Sequence, residues 1–139
     1  GIISPITIAG QPISGNWEMY QLPMSEVPDF TKLGNNNVFK NGSSQANRLK
    51  DCPVLYEGTF TLDETGDTFI DMEAWGKGII FINGHNIGRY WKVGPQQTLY
   101  IPGVWLKKGE NKIVIFEQLN ETPMTEVKTV KTPILMNLK

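Results

Sequence analysis

The sequence predicts an all-β fold, a jelly-roll β-sandwich of two packed antiparallel sheets. Three observations carry this. Short runs rich in Val, Ile, Thr and aromatic residues recur along the 139-residue chain. Fourteen glycines and nine prolines punctuate them, which is the spacing of strands and turns in a sandwich or barrel. No useful stretch shows the i, i+3, i+4, i+7 recurrence of an amphipathic helix. An immunoglobulin-like sandwich is the second topology, but one cysteine cannot supply that fold's cysteine pair. The length fits one domain over residues 1–139, able to bury about 69% of the unfolded surface.

The elements follow in order. Residues 6–13 read as a strand with a turn, and 17–24 as a second strand stopped at Pro23. From Ser25 to Asp51 the chain is polar and reads as an irregular segment, with a short helical turn near Asp29–Leu33. Residues 54–62 alternate: Tyr56, Phe60 and Leu62 share one face, and Glu57, Thr59 and Thr61 the other. That is a half-buried strand. Residues 63–67 make a turn, and 68–75 are expected to return as the partner strand. Residues 78–83 are apolar on both faces and belong in the middle of a sheet. Asn83-Gly84 follows, a strong hairpin signal because a type I′ turn needs positive φ at both central residues. Strands are expected within 87–91, 97–102 and 111–119, with 106–111 as an exposed turn. Residues 121–131 read as an exposed loop or edge, and 132–138 as a final strand.

Composition excludes several functions. Thirteen basic and fourteen acidic residues leave a net charge of −1. No basic block is present to hold a phosphate backbone or an anionic membrane, and no apolar run reaches the roughly 20 residues that cross a bilayer. Neither nucleic acid nor membrane is an expected partner, and no signal peptide is read. Cys52 is the single cysteine and reads as a small, buried or half-buried side chain. His85 is the single histidine, so no zinc ligand set exists. Asp63, Glu64 and Asp67 lie on one turn without the alternating oxygen ligands of a helix–loop–helix calcium site. They read as a solvated hairpin, with a structural calcium left open. No cofactor or metal site is expected.

Catalytic groups are equally sparse. The serines lie in the first 44 residues, and none sits in a Gly-x-Ser-x-Gly elbow. The acids fall mostly on turns, and Asp71, Glu73 and Glu117 are expected on a solvated sheet face. What remains is an aromatic, amide-rich stretch around "NGHNIGRYW". Trp75, Trp91 and Trp105 offer flat rings, while His85, Asn86, Arg89 and Gln96 offer hydrogen bonds. Stacked rings and planar polar groups suit a neutral sugar. The same residues also suit a packed core with pinned loops, and both readings stand.

The stretch 75–117 resembles the C-terminal jelly-roll region of glycoside hydrolase family 35 β-galactosidases. The matching positions are Trp75, Lys77 and Gly78, then Asn83, Gly84 and Asn86 through Trp91. Gly94, Pro95, Gln96, Thr98, Leu99, Tyr100 and Pro102 follow, and Gly109 and Asn111 close the motif. Ile87 replaces the family's leucine. Residues 54–74 resemble the strands leading into this motif, and 17–24 a strand upstream. The resemblance implies a galactose-binding-like sandwich, an accessory piece of a retaining β-galactosidase. The family's two catalytic glutamates lie on a (β/α)₈ barrel, which would need about 200 further residues. The resemblance implies that this piece is not itself an enzyme. Its partners would be that barrel and other β-domains of the parent, with galactosides as candidate ligands. A bacterial parent, periplasmic or secreted, is the source the resemblance suggests. Because a fold does not prove a function, the motif also has a purely scaffolding explanation.

Overall fold

The computed structural model describes residues 4–21, 23–29, 38–40, 52–119, 124 and 126–135. Among these it contains ten strands, one 3₁₀ turn at Gly103–Trp105 and no α-helix. β1 (Thr7–Ile8) and β2 (Gln11–Pro12) form a small hairpin. Five strands make the larger sheet: β3 (Val38–Lys40), β4 (Val54–Leu62), β9 (Gly109–Glu117), β6 (Lys77–Ile82) and β7 (His85–Trp91), in that order. β10 (Lys128–Val130), β5 (Thr68–Asp71) and β8 (Thr98–Ile101) make the smaller sheet, in that order. All pairings between neighbours are antiparallel except β3 with β4.

Period-two alternation decides which side chains go inward. Ile80 and Ile82 of β6, Ile113 and Ile115 of β9, and Tyr90 of β7 face Ile70, Met72, Leu99 and Ile101 across the sandwich. The alternate residues Phe81, Val114 and Leu55 face outward from the larger sheet. They are still buried, because Met24 and Val27 pack over them. β6 is therefore apolar on both faces for a structural reason: a second layer covers each side. Residues 54–62 form the predicted strand with the predicted faces, and Tyr56, Phe60 and Leu62 pack against the inner core.

The hairpin at Asn83-Gly84 forms as expected. Its φ values are 50° and 88°, and Ile82 opposes His85. Gly78 answers to a different constraint. A Cβ there would collide with the Phe116 carbonyl oxygen and the Tyr90 phenol.

Several expectations are corrected. β5 does not pair with β4; it joins β8 and β10 in the opposite sheet. The turn at 63–67 is a crossover between layers, which lets Ile70 and Met72 face Tyr56 and Phe60 instead of lying beside them. The described part of 17–24 forms no strand. It has alternation but no ladder partner, and Trp17, Met19 and Tyr20 are left exposed. The polar segment 25–51 contains β3, which an irregular reading missed. The helical turn expected near Asp29–Leu33 lies outside the described residues beyond Asp29. The turn at 106–111 is anchored at both ends, since Leu106 and Asn111 are buried. Residues 128–130 are an edge strand, and within the described part of the expected final strand, 132–135, Leu135 bridges to Gln96, while 136–138 lie outside the described residues. Cys52 is exposed, not buried. The chain meets it just ahead of β4, before the sheet closes over.

Gly78→Ala should prevent folding or lower the urea midpoint severely, because backbone and a buried ring both block the new methyl group. Circular dichroism through a urea titration measures this; a midpoint equal to that of the parent would refute the packing.

Candidate functional site

Along β9 the inward positions run Asn111, Ile113, Ile115, Glu117. The two ends of this row are polar and buried, at 0% and 2% exposure. Each is a hydrogen-bond hub.

Glu117 is surrounded by donors. Its carboxylate accepts from the backbone N–H of Gly76 (2.9 Å), Lys77 (2.9 Å) and Leu119 (2.8 Å), and from the Tyr90 hydroxyl (3.1 Å). This ties the start of β6, the exit of β9 and the end of β7 at one point. Burial first, then the adjacent Glu117 charge, push the Tyr90 phenol far above its ordinary range, so it stays a donor. Trp75 completes the cluster, edge-on to Tyr56 at 5.3 Å and to Tyr90 at 6.4 Å. The expectation that Glu117 lies on a solvated face is overturned. Its phase with Ile113 and Ile115 was the signal that could have placed it.

Asn111 does the same at the other end. Its oxygen accepts from Asn83 Nδ2 and Lys107 N, both at 2.8 Å, and its amide donates to the Lys107 and Gly109 carbonyls. Asn83 also donates to the Trp105 carbonyl and accepts from Lys112 N. The hairpin tip is thereby bound to the turn before β9.

The seven candidate residues do not converge. Trp75 is 4% exposed and belongs to the core. His85 stacks on Trp105 with ring centres 4.8 Å apart and planes 9° apart, at the tip of β7. Asn86 spends both ends of its amide: Nδ2 donates to the Met24 carbonyl, and Oδ1 accepts from Gly88 N across the β6–β7 irregularity. It pins the covering segment that carries Met24. Trp91 is 43% exposed and lies under Lys77 Nζ, 4.7 Å from the ring centre. Six residues at about 3.3 Å each put it roughly 20 Å from His85. Arg89 is exposed on the same strand, two residues from Trp91. Gln96 donates to the Thr98 carbonyl at 2.7 Å. A single sugar ring cannot touch both ends of this set.

The acids expected to be free are also engaged. Asp71 accepts from Glu73 N at 3.0 Å, capping the turn after β5. Both line a cleft of about 330 Å³ beside Trp75 and Lys128, and the Lys128 ammonium reaches Glu126 at 3.4 Å. Asp67 accepts from Gly103 N at 2.8 Å. That backbone bond, then the Tyr100 hydroxyl, hold its carboxyl below the ordinary range. Among the described residues no group of three His, Cys, Asp or Glu side chains is placed to hold a metal ion.

Two outcomes follow. Glu117→Gln replaces an acceptor oxygen with an NH₂ group facing N–H donors, and should cost about 3 kcal/mol or more, measured by denaturant unfolding; a loss below about 1 kcal/mol would exclude the hub. Because the Asp67 carboxyl is held low, the stability it adds is present above its unfolded value near ~3.9 and disappears as pH falls through its lower folded value. A carbonyl-detected NMR titration should show Asp67 ionising below ~3.9, with the Gly103 amide shift following it; a Gly103 amide that ignores this titration would contradict the contact.

Residues 53–111 match the family model described as "Beta-galactosidase, galactose-binding domain". The chain is 38% identical over 136 residues to Beta-galactosidase 1 of Dictyostelium discoideum, covering 96% of this chain and 19% of that protein. It is 36% identical over 124 residues to Beta-galactosidase-1-like protein 2 of Homo sapiens, covering 88% and 18% respectively. With Beta-galactosidase 8 of Oryza sativa subsp. japonica the identity is 37% over 157 residues, covering 96% and 23%. These relatives are eukaryotic and lend no support to a bacterial parent. The chain spans about a fifth of their length. In its all-β sandwich fold, and by direct match over residues 53–111, the chain is similar to the galactose-binding domain of β-galactosidases.

Proposed function

We propose that residues 1–139 act as one non-catalytic bracing domain of a β-galactosidase. The observation that carries this reading is the fate of the candidate sugar-binding residues. Trp75 is core, Asn86 and Gln96 spend their amides on backbone carbonyls, and His85 and Trp91 stand at opposite ends of β7. Most of the amides in the motif that carries the family likeness are spent within its own fold. The carboxylates that break and remake the glycosidic bond with retention belong, on this reading, to a (β/α)₈ barrel elsewhere in the parent. Exposed apolar side chains support a role within a larger chain: Ile8, Trp17, Met19 and Tyr20 are 62–88% exposed within residues 8–20.

The description of the matched model favours a second reading, an autonomous module that binds galactosides. One pair of measurements decides. The purified chain should release no chromophore from a chromogenic β-galactoside above the buffer rate. Titration with galactose or lactose to millimolar concentration should leave the amide and indole signals of Arg89 and Trp91 unmoved. Saturable shifts there would favour the binding module, and turnover would refute both.

A further inference from the structure

The outer face of the larger sheet carries a feature that bracing does not use. Strand register places Lys77 opposite Trp91 and Ile79 opposite Arg89. All four side chains share the outer face, because Gly78, Ile80 and Tyr90 take the inner one. β7 is the edge strand, with β3 at the far edge of the sheet. The result is a half-exposed indole with one cation across from it and a second along its own strand. Lys77 Nζ lies 4.7 Å from the centre of the Trp91 ring, and Val93 beside it is 58% exposed.

The charge on these two strands is one-sided, since β6 and β7 carry Lys77 and Arg89 and no acid. Neither Lys77 nor Arg89 is ion-paired among the described residues. On the strands of the larger sheet, Glu57 is paired with Lys112 at 2.9 Å, and Glu117 faces inward and accepts from four donors. Neighbouring amides of Asn86 and Gln96 are spent within the fold. The Gln118 side chain, exposed beside Lys77, adds a neutral polar group at the rim. A neutral sugar needs acceptors as well as donors, since each hydroxyl both gives and takes a hydrogen bond. Lys and Arg offer donors alone.

From this we propose that Lys77, Arg89 and Trp91 form a binding site for an anionic saccharide, one bearing carboxylate or sulfate. Lys77 Nζ moves off the Trp91 ring to take the acid group with Arg89, and the ring face it leaves takes the apolar face of the sugar. Arg89 can engage it with two parallel N–H donors. The site goes beyond the bracing role and does not depend on it, because galactose and lactose lack the charge that the site reads.

The test is an NMR titration of the full 139-residue chain with three probes: trigalacturonate, a heparin-derived tetrasaccharide and neutral β-1,4-galactotriose. At least one anionic probe should give saturable shifts at the Trp91 indole and the Lys77 and Arg89 amides, with galactotriose giving none. Saturable binding of trigalacturonate shows that carboxylate suffices; binding of the heparin tetrasaccharide alone, which carries both groups, shows that sulfate is required. Arg89→Gln alters an exposed side chain and keeps the fold; it should weaken binding about tenfold or more. Trp91→Ala should abolish it. The proposal is overturned by silence from both anionic probes, by galactotriose binding as tightly as they do, or by Arg89→Gln leaving affinity unchanged. Hexaglutamate is the control for charge alone, and equal affinity for that peptide also overturns the saccharide site.

Discussion

The buried carboxylate of Glu117 is the constraint on which the larger sheet depends. An ionised group costs several kcal/mol to remove from water unless its oxygens are fully hydrogen-bonded. Four donors from three places in the chain meet that demand, and to do so they must all arrive at one point. β6 must begin at Lys77, β9 must end at Glu117, and β7 must bring Tyr90 back over Gly78. The absence of a side chain at Gly78 is what gives the phenol room. Trp75 seals the cluster against Tyr56 and Tyr90. Register in a sheet is fixed wherever one face is buried; here a charge that tolerates no slip adds to that.

The other end of β9 repeats the principle without charge. Asn111 and Asn83 exchange a hydrogen bond at 2.8 Å and satisfy backbone groups of both turns. The hairpin tip is thus internally satisfied, and its Asn83 and Asn111 amides have little left for a ligand. That is the physical reason a stretch rich in Asn, His, Arg and Trp can look like a binding site and behave as a clasp. The residues left over are Trp91, Arg89 and Lys77, on the outer face, with Trp91 and Arg89 exposed on the edge strand.

Much of the candidate site was legible as a list of residues and little of it as an arrangement. Asn83-Gly84 announced its turn because positive φ is a local demand. The two-faced apolar run of β6 announced a central strand because burial on both sides leaves a residue-by-residue mark. Asn86 carried no mark of its partner, Met24, which lies 62 positions away in sequence. Trp75 and Trp91 are chemically the same, yet one is core and the other surface. Glu117 shares the phase of Ile113 and Ile115, but an acid at a strand end reads as solvated, and only the donors gathered around it by distant segments keep it buried.

By itself, the sequence determined the all-β class, the faces of β4 and β6, the hairpin tip and the family likeness over residues 54–117, because each is written in local patterns: alternation, turn chemistry and motif spacing. Tertiary structure alone decided that β5 crosses to the opposite sheet, that β3 joins β4 in parallel, that Glu117 is buried, and which aromatic rings meet solvent. Those outcomes rest on pairings between distant segments, where the competing partners have similar local chemistry and only simultaneous packing and hydrogen-bond satisfaction separate them.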